Sequence, residues 1–421
     1  MRAELTLLGR PLRNIGVLLA GNVLRLGLGF LASALTYRVL SPEDAGRFTL
    51  ALTLVGLFSI FAEFGFRDAA VNFVAGAASP SNVQAVARSF LVAKLLFGTL
   101  AAALLAVLAQ WILGRWYPGT VAPGLVRFAA LSLFTGGLLN YVQTLLEARQ
   151  AFGALSLIST AQALLRAAAI TWLYFTGRIA LWPLLALEVF LPVVLLMYGQ
   201  RFLPRDWLSL RPPLFAAFGR LWRFSRWIAV TAIAATIFLR LDVLLLGHFH
   251  PAAEVGVYGV ALALLAKFEI AENALLTTTF PEACRYTAKK DLRAYVSRTL
   301  RLTGLASLGF LLFLPFVRWL LQLLYGPAYA GAAPPFGLLL VGFVIGLNFQ
   351  PAAYVLYPLN RPQWIAASDV LQLICNAALG LWLIPRYGAP GAALTVLATR
   401  VVGAIVMFVL VAWSLRWRAG E

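Results

Sequence analysis

Arg25 sits in the stretch GNVLRLGLGF (21–30), inside an apolar run that reads from about Asn14 to Leu40. An ionised side chain at mid-membrane is costly unless it faces a polar interior or an opposite charge. Asn22, Gly29, Ser33 and Thr36 share its helical face, whereas Leu24, Leu28, Leu31 and Leu35 take the other. The arginine is therefore expected to point into a bundle or a wet cavity. Arg166, on a face with Ser159, Gln162 and Ala169, reads the same way, as does Lys267 with Ala263, Ala271, Ala274 and Thr278. Lys94, Arg240 and Arg400 also fall within apolar spans, and Arg127 lies close enough to an end to snorkel. Interhelical ion pairs that fix packing account for any one of these cations. Collectively they suggest an anionic visitor. A diphosphate fits, because guanidinium forks grip it bidentately with charge-assisted hydrogen bonds.

Acids inside the spans are Glu63, Glu188, Asp242, Glu269, Glu272 and Asp369. Lys267 and Glu269 are two residues apart and face away from each other, as are Arg240 and Asp242, so each needs a partner from another helix. Glu269 and Glu272 share one helix face, a pattern suited to carrying a proton or a cation. Together with Asp242 and Glu63 they are the candidates for H+ or Na+ coupling; no other cofactor is expected. In GLNFQPAAYVLYPLNRP (346–362), Pro351 should kink the helix, and Asn348, Gln350, Tyr354 and Tyr357 could meet a sugar. Interfacial anchoring explains the tyrosines equally well. His248 and His250, two apart and without a third ligand, make a poor metal signal and are expected to be simply exposed. Cys284 and Cys375 fall on separate helices, which suggests neither a disulfide framework nor a metal cluster.

The elements that must position these residues follow from composition. The chain is 62% hydrophobic and 12% charged, with a mean hydropathy of +0.86, far outside the soluble range. It is expected to be an all-α polytopic membrane protein. Its basic N-terminal segment leads into a run too long for a signal peptide, so the first helix is expected to remain as an anchor. Apolar runs give about twelve spans, near 14–39, 47–66, 86–113, 121–146, 154–175, 179–199, 226–247, 255–280, 299–324, 335–358, 364–384 and 390–415. Alternate loops divide by charge, with roughly twenty basic residues on one side. The other side holds little beyond Arg38, Arg47, Arg115, Arg178, Arg318 and Arg386. That bias predicts both termini in the cytoplasm, and it makes the net charge of +18 a matter of topology and headgroup contact rather than nucleic-acid binding.

The chain also repeats. SPEDAGRFTLALTL (41–54) returns as PAAEVGVYGVALAL (251–264), with Gly46 over Gly256, and LLEARQAF (145–152) corresponds to YPLNRPQW (357–364). Two six-helix lobes follow, 1–200 and 226–421. Each has an even number of spans, so the repeats should be parallel and related by an axis along the membrane normal. The arginine- and tryptophan-rich segment 201–225 between them is expected to lie on the inner membrane surface.

Taken together, YRVLSPEDAGRFTLALTLVGLFSIFAEFGF, FLRLDVLLLGHFHPAAEVGVYGVALAL, LLYGPAYAGAAPPF and PRYGAPGAAL resemble the polysaccharide and oligosaccharide flippases, of O-antigen type, in the multidrug/oligosaccharidyl-lipid/polysaccharide superfamily. The resemblance runs from the first helix to the last. It implies a V-shaped pair of six-helix bundles around a cationic cavity and alternating access. It further implies movement of an undecaprenyl-diphosphate-linked oligosaccharide from the cytoplasmic to the outer leaflet of the inner membrane, alongside glycosyltransferases and a glycan polymerase. An arginine in the first helix belongs to that pattern, and Arg25 fits it. Two other functions are weighed against this one. A proton- or sodium-coupled exporter of small molecules would need no lipid-diphosphate handle. A membrane glycan polymerase or ligase would need a substantial outward domain with an acid/base pair, and the short outward loops offer none. No enzyme activity is expected.

Overall fold

In the computed structural model, the structure describes residues 21, 23–76, 79–204, 215–286, 288–359 and 361–416. Regular structure among them is helical throughout. Helix α1 covers residues 23–39, and α2 (Pro42–Glu63) gives way to the short α3 (Phe66–Ala75). Then come α4 (Pro80–Trp116), α5 (Pro123–Ala148), α6 (Phe152–Phe175), α7 (Leu181–Gly199) and α8 (Phe215–Phe249). The rest is α9 (Ala252–Arg285), α10 (Lys289–Leu311), α11 (Val317–Tyr325), α12 (Ala333–Ala353) and α13 (Pro362–Arg416).

Nine helical segments among the described residues are long and apolar enough to cross a membrane. The expected first span begins outside the described residues. Helix α9 is not one of the nine, because Glu254, Lys267, Glu269, Glu272 and Glu282 charge it along its length. The last two expected spans are both present and count together as one of the nine, since α13 is two helical stretches separated by the break at Gly388. Large apolar side chains such as Phe175 (80% exposed), Val107 and Leu312 point outward, as a lipid-facing surface requires.

The chain forms two compact units. The first comprises residues up to Leu40 together with Ala51–Thr236; the second comprises Ser41–Leu50 together with Ile237–Glu421. The division thus falls inside two helices, α2 and α8. Of the expected inter-lobe segment, residues 205–214 lie outside the described residues, and α8 already begins at Phe215.

The core of the first unit is built from Phe66, Phe90, Tyr141, Leu145, Ile158, Leu195 and Leu221. Helix α2 stops where Phe64 and Gly65 both take positive φ, 41° and 68°. The turn swings Phe64 onto the ring of Trp222 in α8, stacked at 4.9 Å. α3 was not foreseen, because its amphipathic run is only ten residues long.

In the second unit, α12 packs against both α9 and α13, with Tyr295, Phe349, Val355, Met407 and Val411 among its core residues. The α13 break comes from IPRYGAPG, where prolines 385 and 390 flank Gly388 at φ 58°, ψ −133°. A side chain at Gly388 would collide with the Glu254 carboxylate. Glu254 Oε2 instead accepts the Ala389 N–H at 3.0 Å, tying α9 to the turn.

Candidate functional site

Within the first unit, three of the expected cations take distinct places. On α1, Leu24 and Leu31 are exposed and Thr36 is buried, as the two expected faces require, but Arg25, Gly29 and Ser33 are half-buried to the same degree as Leu28 and Leu35 of the opposite face. Gly21, two residues before α1, faces Ser156 and Thr160 of α6. Further along α6, Arg166 is paired through Nη2 with Glu188 of α7, and Tyr37 of α1 adds an electrostatic contact. Lys94 on α4 is fully buried, 3.3 Å from Glu63 at the end of α2 and 5.5 Å from the Phe90 ring centroid one turn earlier. Arg166 and Lys94 are thus each ion-paired with an acid from another helix, as burial demands of the enclosed Lys94.

The second unit contains a cavity of about 100 Å³. Phe238 and Asp242 of α8, Glu269 and Glu272 of α9, Phe343 of α12, and Asn376 and Arg400 of α13 line it. Helix crossings at small residues make room: the Arg400 side chain lies across Gly342 and Gly346 of α12, with its guanidinium 6.0 Å from the Phe238 ring centroid. Arg400 makes no hydrogen bond or ion pair within 4 Å among the described residues, yet Glu269, Glu272 and Asp369 all act on it electrostatically. Asp242 is buried and held at both oxygens, Oδ1 accepting the Val243 N–H at 2.8 Å and Oδ2 accepting the Tyr258 hydroxyl. Asn376 is 1% exposed, and its Oδ1 has no hydrogen-bond partner among the described residues.

Size decides what this cavity can take. In this conformation the space is small, with room for waters or a small cation among its polar groups. Its lining offers carboxylate and amide oxygens around one guanidinium, which is suited to moving protons or holding a hard cation.

Of the coupling candidates, the structure brings Asp242, Glu269 and Glu272 together in the second unit; Glu63 belongs to the first unit, where it meets Lys94. Of the cations, Arg400 joins this acidic group. Arg240, two residues before Asp242 on α8, is exposed, and Lys267 is half-buried on α9. The amide of Asn348 is committed: its Oδ1 accepts the Thr303 hydroxyl at 2.8 Å, and Nδ2 donates to Ser307 Oγ and the Val344 carbonyl. Gln350 Oε1 is buried without a partner among the described residues, and Tyr354 is half-buried. His250 corrects an expectation. It is not simply exposed: Nε2 lies 2.8 Å from the Ile384 carbonyl and Nδ1 3.6 Å from Glu254, so it braces the Gly388 turn of α13, while His248 is exposed. No group of three or more His, Cys, Asp or Glu side chains arranged for a metal ion occurs among the described residues.

Asn376, Tyr258 and Phe238 were missed from sequence. For Asn376 a signal existed, since Asp369, Gln372 and Asn376 recur at helical spacings of three and four.

Comparison with known proteins adds the family. The sequence pattern of a family described as polysaccharide biosynthesis protein matches residues 35–334, more than half of the chain. The probable low-salt glycan biosynthesis flippase Agl15 of Haloferax volcanii is 24% identical over 408 residues, covering 89% of this chain and 78% of the relative. The lipid III flippase of Escherichia coli K12 is 24% identical over 393 residues, 91% and 94% of the two chains. Among solved structures, the lipid II flippase MurJ in an inward closed conformation superposes with a TM-score of 0.76 at 11% identity, over 94% of this chain and 87% of that one. An inward-facing multidrug-resistance MATE transporter gives 0.66 at 15% identity, over 94% and 98%. These two likenesses show the fold.

Proposed function

Because the chain belongs to the polysaccharide biosynthesis protein family, we propose that it is a flippase for a lipid-linked oligosaccharide and carries no catalytic step of its own. The observation that carries this reading is alignment over about nine-tenths of the chain with proteins named as glycan-lipid flippases from an archaeon and a bacterium. In this reading the substrate is a polyprenyl diphosphate bearing a short glycan. It moves from the cytoplasmic to the outer leaflet of the inner membrane by alternating access, and both termini of the protein are cytoplasmic. Glycosyltransferases supply the substrate and a glycan polymerase consumes it. Arg25 and Arg166 are the foremost diphosphate contacts, with Lys267 and Arg240 beside them; at Arg166 the diphosphate displaces Glu188. Lys94 is wholly enclosed and serves packing. Arg400 passes from the diphosphate group of residues to the coupling group, because the side chains that line its cavity include Asp242, Glu269 and Glu272. Asp242, Glu269, Glu272 and Asn376 there bind the coupling proton or sodium ion.

A second reading, an ion-coupled exporter of small molecules, is favoured by that same acid-lined cavity. One experiment separates the two. Liposomes containing the protein and a fluorescent polyprenyl-diphosphate oligosaccharide are assayed for lipid movement between leaflets under H+ and Na+ gradients. Movement should fall by more than tenfold, roughly 1.4 kcal/mol in barrier, in Arg25→Ala. Asp242→Asn and Asn376→Ala should leave slow exchange but remove its response to the gradient. Full movement in Arg25→Ala/Arg166→Ala would sink the diphosphate assignment, and a static lipid with a mobile soluble compound would favour the exporter.

A further inference from the structure

Two arginines stand on the outside of their own units, among apolar side chains that are themselves exposed. In the first unit, Arg127 of α5 is exposed, with exposed Leu131 one turn further along the helix. Its Nε donates to the Ala106 carbonyl of α4 at 3.3 Å, and Nη1 and Nη2 have no partner among the described residues. Beside that carbonyl on α4 are Val107 and Trp111, 75% and 62% exposed. In the second unit, Arg318 of α11 is exposed between Phe316 and Trp319, with exposed Leu312 and Leu323 on either side. Arg318 has no hydrogen-bond or ion-pair partner among the described residues.

Both lie close to a helix end, where a bilayer offers phosphate. Arg127 is four residues after Pro123, the first residue of α5, or about 6 Å along the axis. Its neighbour Phe128 touches Trp182 in the first turn of α7, ring centroids 5.5 Å apart. Arg318 is seven residues before Tyr325, the last residue of α11, or about 10 Å, with Trp319 beside it. Exposed tryptophans collect at the headgroup boundary, and an arginine's long stem carries its charge toward that boundary from a Cα set deeper.

The repeat relates the two places. Its two sequence pairs are offset by 210 and 212 residues (41 to 251, 145 to 357), so Ala106 aligns with the stretch Phe316 to Arg318. One repeat supplies the guanidinium from that stretch itself. The other brings it from the next helix and fixes its Nε on the Ala106 carbonyl. What recurs is the position of the cation, reached from different residues. An arginine that merely snorkels needs neither a fixed Nε nor a counterpart.

We propose that Arg127 and Arg318 each hold the phosphodiester of a membrane glycerophospholipid. The leaflet is the outer one in the orientation that the loop charges predict. A guanidinium has five N–H donors, of which Arg127 spends one on Ala106 and presents the other four from Nη1 and Nη2. Phosphate oxygens accept such a fork bidentately, and the acyl chains lie over the apolar neighbours, so the charge no longer faces hydrocarbon alone. The sites need the chain to be in a bilayer, but they do not need the flippase reading.

The test places the protein in nanodiscs of equal parts phosphatidylethanolamine and phosphatidylglycerol, releases it into mild detergent and counts the retained phospholipids by native mass spectrometry. The parent should keep two, Arg127→Gln or Arg318→Gln one, and the double variant none. Arg178→Gln, at an exposed loop arginine, should keep both. Arg127→Lys should release its lipid roughly tenfold faster than the parent, because an ammonium is a point charge without the fork. In nanodiscs of galactosyldiacylglycerol, which has no phosphate, the parent should retain no lipid; this arm uses no variant and decides the matter if the substitutions disturb the fold. Equal retention by the double glutamine variant, or retention of the galactolipid by the parent, overturns the proposal. So does a polyprenyl diphosphate kept in place of phospholipid when both are offered.

Discussion

At the scale of single residues, the charges that the sequence marks as anomalous divide into two kinds. Lys94 and Arg166 have acid partners on neighbouring helices, whereas Arg400 stands in a cavity whose acids act on it without touching it. The difference matters because a paired buried charge is fixed and an unpaired one is available. For the Lys94–Glu63 pair, removing the acid leaves an ammonium in a fully enclosed site. Glu63→Gln should therefore lower stability by up to roughly 3–5 kcal/mol. Lys94→Met, of similar volume and free of charge, should cost little, and Glu63→Gln/Lys94→Met should recover most of the loss. Thermal unfolding in detergent, followed by tryptophan fluorescence, reads all three. A Glu63→Gln variant as stable as the parent would show that the pair contributes nothing to the fold.

At the scale of elements, backbone features that no hydropathy average registers do the positioning. The Gly388 turn of α13 is held by three contacts from one corner: Glu254 to the Ala389 N–H, Glu254 near His250, and His250 on the Ile384 carbonyl. Gly388 makes this possible, since its φ of 58° and the carboxylate beside it exclude a side chain. Gly388→Ala should cost roughly 1–3 kcal/mol and free the turn. Hydrogen exchange at residues 384–391 should quicken while exchange in α4 and α5 stays unchanged. Unaltered exchange at the turn would mean that the Glu254 clasp does not depend on Gly388.

At the scale of the whole molecule, the charge bias of the loops predicts which ends face which compartment. Arg178 and Lys290 are exposed, one in a loop expected outside and one in a loop expected inside. With the native cysteines replaced, Arg178→Cys should react with an impermeant maleimide in intact cells, and Lys290→Cys only after permeabilisation. The reverse pattern would invert the topology and with it the direction of transport proposed here.

The sequence by itself determined the class of fold, the positions of most helices and the repeat. Hydropathy and helical period are local properties, and a bilayer leaves a chain of this composition few ways to satisfy its backbone. The break in α13 was legible too, in IPRYGAPG. Partnership was not. Lys94 finds Glu63, Arg166 finds Glu188, and Arg400 meets Glu269 and Glu272 across more than a hundred residues, at distances set by how helices cross. The committed amide of Asn348, the anchored ring of His250 and the open oxygen of Asn376 depend on the same packing. Nor could spacing alone reveal that Gly46 and Gly256, aligned in the repeat, also touch. A residue's helical face follows from its position in the chain, but its neighbour across that face is chosen only when the helices pack.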